Sequence, residues 1–227
     1  MTLVCLHGAG CTGAVFRSQL EAFPDLHAPQ LLPCKTVEAF ANAVVEYVER
    51  NRLSDVVMCG HSLGAMVAIE TALRKPVWLR AIVAFGGGLH LTVAPAIFQM
   101  LETDFDAAAK RIAGYMFANR DDVHVAQIAD SIRATGQNAV ISAFRACDSY
   151  DVTRRAESIA VPLLALTGDQ DRMTPPALAQ ALVDRVPGAQ ARIIAGAGHM
   201  VMLEAPGDTN DALRSFVSGL DPKAISF

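Results

Sequence analysis

Residues 56–65 read VVMCGHSLGA, with Ser62 held between Gly60 and Gly64. A β-favouring, apolar run leads directly into that serine, and the helix-forming run SLGAMVAIETALRK starts from it. A serine on a sharp strand-to-helix turn presents its hydroxyl beyond the end of a sheet, where it can attack an electrophilic carbon such as a carbonyl. Such a turn crowds the residues two before and two after the serine. Gly60 and Gly64 leave out the side chains that would collide. The G-x-S-x-G pattern alone is weak evidence; the strand before it and the helix after it give it meaning. A serine that merely fills a turn does not need small residues on both sides.

A hydroxyl is a poor nucleophile until a base removes its proton. The chain has six histidines. His7 precedes the first glycine turn, and His61 adjoins the serine but is expected to point elsewhere. His27, His90 and His124 fall on loops or helices and read as surface histidines. His199 differs, because it follows the strand-like run ARIIAGAG. That puts it on a loop at the carboxyl end of a strand, the same edge as Ser62. An imidazole base needs a carboxylate to fix its tautomer and stabilise its charged form. The run ALTGDQDRMTPP offers Asp169 and Asp171 just past another strand.

The elements that must position these groups alternate along the chain. TLVCLH is a short strand that stops at GAGCTG, and AVFRSQLEAF has helical spacing. HAPQLLP is a weak strand, assigned to a sheet edge because Pro29 and Pro33 forfeit ladder bonds. TVEAFANAVVEYVERN is a helix with Thr36 placed to cap it. Strands DVVMC, LRAIVAFGG, VPLLALTG and AQARIIAGAG follow, with helices at PPALAQALVDRV and TNDALRSFVSGL. Repeated strand–helix units mean an α/β fold with a mostly parallel sheet and helices on both faces. From about Leu89 to Ser158 the rhythm breaks. Several short helices are expected there, with Asp104, Asp121 and Asp122 as N-terminal caps and Gly114 and Gly136 as punctuation. The division expected is a core of residues 1–88 and 159–227 and a helical cap, or lid, over 89–158. Ligands of open α/β sheets bind at the carboxyl ends of the strands, which such a cap would cover.

Composition narrows the function classes. Of 227 residues, 52% are hydrophobic and 19% charged, which favours a well-covered sheet over disorder. A net charge of −4 gives no electrostatic footprint for nucleic acid or an anionic membrane. No apolar run has the length of a membrane span, and the start lacks the basic region of a secretory signal. The five cysteines are scattered, never spaced as C-x-x-C, and read as free thiols in a reducing cytoplasm rather than metal ligands.

Gly60-x-Ser62-x-Gly64, Gly168-Asp169-Gln170-Asp171, Gly196-Ala197-Gly198-His199 and His7-Gly8 near the start together resemble the α/β-hydrolases. That family has the chain order nucleophile, acid, histidine, with the acid in G-x-x-D and the base in G-x-G-H or G-H. The resemblance covers nearly the whole chain and selects Asp171 as the acid, leaving Asp169 to support the loop. It implies an oxyanion hole of backbone amides, here Leu63 and, from LHGAG, Ala9 ahead of Gly10. It also implies a sheet of about six strands lacking the two that usually precede the H-G strand, through natural trimming or missing upstream residues.

What the resemblance implies is a serine hydrolase with Ser62, His199 and Asp171 as its triad, no metal and no organic cofactor. The expected substrate is a small molecule with a small to medium uncharged, apolar acyl group, on an ester or lactone. Met173 and Met200, flanking the acid and base, and Phe98 and Phe144 of the insertion are the candidate pocket wall. Arg145 and Arg172 are the candidates for a substrate carboxylate. Carbon–carbon bond hydrolysis and cofactor-free perhydrolysis use the same triad, and a ligand receptor can be built on the same scaffold. An aspartate nucleophile would mark epoxide hydrolases or dehalogenases, and Ser62 speaks against both. A homodimer stays open.

Overall fold

The computed structural model describes residues 1–220. Six strands form one sheet, every pairing in it parallel: β1 (Thr2–Leu6), β2 (Leu26–His27), β3 (Val56–His61), β4 (Leu79–Phe85), β5 (Leu163–Gly168) and β6 (Gln190–Ile194). Their order is β2-β1-β3-β4-β5-β6. The helices are α1 (Arg17–Ala22), α2 (Val37–Arg50), α3 (Leu63–Leu73), α4 (Pro95–Thr103), α5 (Phe105–Met116), α6 (Val125–Thr135), α7 (Gln137–Ser149), α8 (Pro176–Arg185), α9 (Val201–Glu204) and α10 (Pro206–Gly219). The insertion between β4 and β5 is helical, holding α4 to α7.

Parallel strands covered on both faces read as continuous apolar runs, and every residue of β3 and β5 is buried. Helix α3 shows no amphipathic stripe because Leu63 through Ala72 are all buried, so it is wrapped on every side. Register aligns the carboxyl ends into one rim: Leu6 faces Gly60, His61 faces Phe85, and Gly168 faces Ile194. Ser62, Asp171 and His199 follow β3, β5 and β6 at that rim and Ala9 follows β1, whereas Phe98, Phe144 and Arg145 sit on helices of the insertion.

Local signals hold to different degrees. Thr36 caps α2 by accepting the Ala39 amide at 3.2 Å, and Asp104 caps α5 through Ala107 at 3.0 Å. HAPQLLP pairs only through His27, at the outer edge beside β1, and the proline-bearing remainder leaves the sheet. AVFRSQLEAF divides into a 3-10 turn, Gly13–Phe16, and the short α1. Two expectations fail. Asp121 and Asp122 do not cap α6: His124 occupies that position, and Asp122 accepts the His124 amide at 2.8 Å in the preceding turn. Gly114 lies inside α5, whose buried face of Ala109, Ile112, Ala113 and Met116 carries the helix past it. Gly136, at φ +87°, does separate α6 from α7.

Candidate active site

Ser62 has φ 54° and ψ −115°, a backbone conformation that costs a residue with a side chain of order 1–3 kcal/mol. Its amide donates to the Phe85 carbonyl of β4 at 2.9 Å, which ties the strained turn to the sheet. A Cβ on Gly60 would stand 2.0 Å from the Gly64 carbonyl oxygen, so the crowding across the turn is real. Gly64 serves a different contact: a Cβ there would meet the Leu6 carbonyl oxygen of β1 at 2.2 Å.

His199 follows β6 and its ring is wholly buried. Its Nδ1 is 2.8 Å from Asp171 Oδ2 and 2.9 Å from Thr174 Oγ1. The Thr174 hydroxyl in turn donates to Asp171 Oδ2 at 2.7 Å, and the Met173 and Thr174 amides donate to Oδ1 at 2.9 and 2.8 Å. Burial alone would raise the Asp171 carboxyl. The facing His199 and these hydrogen bonds outweigh burial and hold it below the ordinary value of 3.8. An ionised Asp171 requires a proton on His199 Nδ1, which leaves the Nε2 lone pair as the basic site. Nε2 has no partner, and Ser62 Oγ makes no hydrogen bond to it here. The two residues share the rim through Phe85, the last residue of β4, and Gly86 just beyond it. Phe85 receives the Ser62 amide, and a Cβ on the adjacent Gly86 would lie 2.8 Å from His199 Nδ1. Asp169 does not reach the ring; it accepts the Gly196 amide at 2.8 Å and braces the loop that carries His199.

His61 does not point away from the site. Its fully buried ring lies 4.6 Å, centroid to centroid, from that of His199. Burial, then the neighbouring His199, depress its pKa well below 6.5, so it stays neutral. His7 holds the turn that follows β1: its Nδ1 donates to the Gly8 carbonyl at 2.9 Å and its Nε2 accepts the Leu31 amide at 2.9 Å. Burial lowers its pKa as well, consistent with that neutral tautomer. The turn it holds carries Ala9, whose amide makes no hydrogen bond among the described residues. Leu63 opens α3, where the first amides have no intrahelical acceptor. Ala9 and Ser62 line the same cavity.

That cavity has a volume of about 1010 Å³. Met173 and Phe144 line it, as do Ile97 and Met100 of α4. Met200 does not: it is fully buried, its backbone fixed by the Met116 carbonyl. Phe98 does not either. Ile97 and Met100, three apart on α4, turn to the cavity, whereas Phe98, one residue round the helix, packs half-buried against the core. Arg145 is paired with Glu102 at 3.1 Å on the surface, while Arg172 lines the cavity.

Sequence reasoning missed Thr174, Arg111 and Glu204. Arg111 and Tyr115, four apart on α5, line the cavity together, a spacing that marks one helix face. Glu204 accepts three amides: Ala118 at 2.7 Å, Gly198 at 2.9 Å and Met200 at 3.2 Å. Burial raises its pKa above 4.5 despite those donors. The Met116 carbonyl also accepts the His199 amide at 2.7 Å, and Arg172 donates to the Phe117 carbonyl. The end of α5 is thus stitched to both the acid loop and the base loop.

Among the described residues no three histidine, cysteine, aspartate or glutamate side chains gather as a metal site requires, and no helix is long and apolar enough to cross a membrane. The chain is 29% identical over 253 residues to a pimeloyl-[acyl-carrier protein] methyl ester esterase of Stenotrophomonas maltophilia, covering 97% of this chain and 94% of that protein. It is 26% identical over 242 residues to the enzyme of the same name from Neisseria meningitidis, covering 95% and 76%. In three dimensions it matches an enol-lactonase from Burkholderia xenovorans with a TM-score of 0.86 at 19% identity, over 96% of this chain and 91% of that one. Residues 3–212 match the profile of the alpha/beta hydrolase family. With the parallel sheet and the serine turn after β3, that match identifies the chain as a member of the alpha/beta hydrolase family.

Proposed function

We propose that the protein is a serine hydrolase that cleaves carboxylic esters with a small to medium apolar acyl portion through an acyl-enzyme. The observation that carries this reading is the buried pair of His199 Nδ1 and Asp171 Oδ2, 2.8 Å apart, on the rim from which Ser62 projects. The relatives named as methyl ester esterases support ester cleavage.

In this mechanism Ser62 Oγ attacks the ester carbonyl while His199 Nε2 takes its proton. Asp171, kept ionised, holds the ring in the productive tautomer and stabilises the imidazolium. The tetrahedral oxyanion is met by the Leu63 and Ala9 amides, and removing one such donor typically costs about 10²–10³ in rate. His199 then protonates the departing alcohol. A water activated by the same ring releases the acid. A second cation beside the imidazolium would oppose its formation, and His61, depressed by burial, supplies none. The helices α4 to α7 act as the cap over this cavity, their Ile97, Met100 and Phe144 forming an apolar wall. The partner is a small molecule, and no nucleic acid or membrane enters the reaction. The five cysteines are free, four of them buried, which supports work in a reducing compartment such as the cytoplasm.

Ser62→Ala is expected to lower turnover of p-nitrophenyl esters by about 10⁴-fold or more, with loss of labelling by a fluorophosphonate probe. Near-normal turnover by that variant would remove Ser62 from the mechanism.

A further inference from the structure

The cavity wall is not uniformly apolar. Among its lining residues Arg111 and Arg172 are cationic, and no aspartate or glutamate accompanies them. Both are exposed, which puts them at the mouth rather than the floor. Tyr115, also in the lining, has three guanidinium carbons within reach of its ring: Arg120 at 5.0 Å, Arg111 at 5.8 Å and Arg172 at 6.0 Å. The Tyr115 ring face and solvent offset part of the repulsion among the three cations, and a bound anion would offset more. Among the described residues no carboxylate pairs with any of the three. Of the neighbouring acids, Glu102 pairs with Arg145, Asp106 with Lys110 and Arg133, Asp130 with Arg133, and Asp122 with His124, while Asp121 beside Arg120 forms no ion pair among the described residues. Nor does overall charge explain the cluster, since the chain carries a net −4. The Arg111 guanidinium beside the Tyr115 phenol lowers its pKa, in keeping with a local positive field. Arg172 is fixed by donating to the Phe117 carbonyl. Its planar group is therefore held in place, suited to a planar anion.

We propose that the mouth of the cavity binds a carboxylate, so that the substrate is a half-ester: an apolar chain with its ester at Ser62 and a free carboxylate held by Arg111 and Arg172. This rests on the serine-hydrolase reading above and revises the uncharged substrate expected from sequence. The carboxylate reacts with nothing; it orients the chain and raises kcat/KM over that of a neutral analogue.

The test compares the monomethyl and dimethyl esters of adipic acid on the intact protein. Wild type is expected to favour the monomethyl ester by about tenfold in kcat/KM, as charge-assisted hydrogen bonds at a partly exposed site allow. Raising the salt should shrink that preference. Arg111→Gln should bring the ratio toward one, Arg111→Lys should keep part of it, and Arg111→Glu should invert it. Arg111 is an exposed position, so these variants fold independently of the outcome, and circular dichroism checks that they do. Equal turnover of both esters by wild type, with a ratio that Arg111→Glu leaves alone, overturns the carboxylate site and leaves the esterase reading standing. Folded wild type that hydrolyses neither adipate ester nor p-nitrophenyl butyrate overturns both.

Discussion

Ser62 is held where only glycine is comfortable, at φ 54° and ψ −115°. The strain belongs to the site rather than to the fold's economy, because the same bend directs Oγ toward the cavity that Ser62 lines. Two substitutions separate strain from chemistry. Ser62→Ala and Ser62→Gly both delete the hydroxyl, but only glycine tolerates the backbone. Ser62→Gly should therefore be the more stable by about 1 kcal/mol, even after the greater freedom of glycine in the unfolded chain is counted. Urea midpoints of the two variants measure this; equal midpoints would mean that the turn carries no strain. Gly60 has the opposite tolerance. A methyl group there meets a carbonyl oxygen at 2.0 Å, backbone against backbone, with no flexible side chain to yield.

At the scale of elements, α5 and the loop of His199 behave as one piece. Glu204 joins them with both carboxylate oxygens, one toward Ala118 and the other toward Gly198 and Met200. In Glu204→Gln an amide NH2 must face a backbone N–H in place of an acceptor. One donor is left unsatisfied, at about 1–3 kcal/mol. Glu204 is a positioning residue, so the loss should appear chiefly in kcat, by roughly tenfold or more, with KM for a neutral ester little moved. Steady-state kinetics of the folded variant decide it: a rise in KM alone would instead assign Glu204 to substrate binding. Glu204 could not be found from sequence because its partners lie on two separated segments. Thr174 escaped for a related reason, since a threonine three residues after an acid has many uses. Met200 and Phe98 show the converse difficulty. An apolar residue beside a site is wall or core according to a rotation of its backbone that composition does not record. By contrast, Gly60, Ser62 and Gly64 declare their turn locally, and the meeting of Asp171 with His199 follows from adjacent strands ending on one rim.

For the whole molecule, buried histidines couple stability to pH. Burial, aided by His199, holds folded His61 well below its ordinary 6.5, and burial does the same for His7. The unfolded chain accepts protons near pH 6.5 that the folded chain refuses. Stability is therefore fully present above that value and falls as the pH drops below it, by up to about 1.4 kcal/mol per unit for each such histidine. Glu204, raised above 4.5, acts in the opposite sense at lower pH. A comparison of wild type with His61→Leu cancels the Glu204 effect. Urea melts between pH 7.5 and 5.5 should give a shallower decline for His61→Leu; identical slopes would mean that His61 takes a proton within the fold. The α/β class was legible from alternating runs because a parallel sheet leaves a simple imprint on sequence. The order of its strands left no comparable trace.

That order has a consequence for synthesis. On the mechanism proposed, the alcohol emerges from the ribosome long before the imidazole that would arm it, because β3 precedes β6 by most of the chain. Until Ile194 comes to rest beside Gly168, a nascent polypeptide carries an inert serine and can acylate itself on nothing. Silence during translation needs no propeptide or inhibitor; the succession of strands provides it.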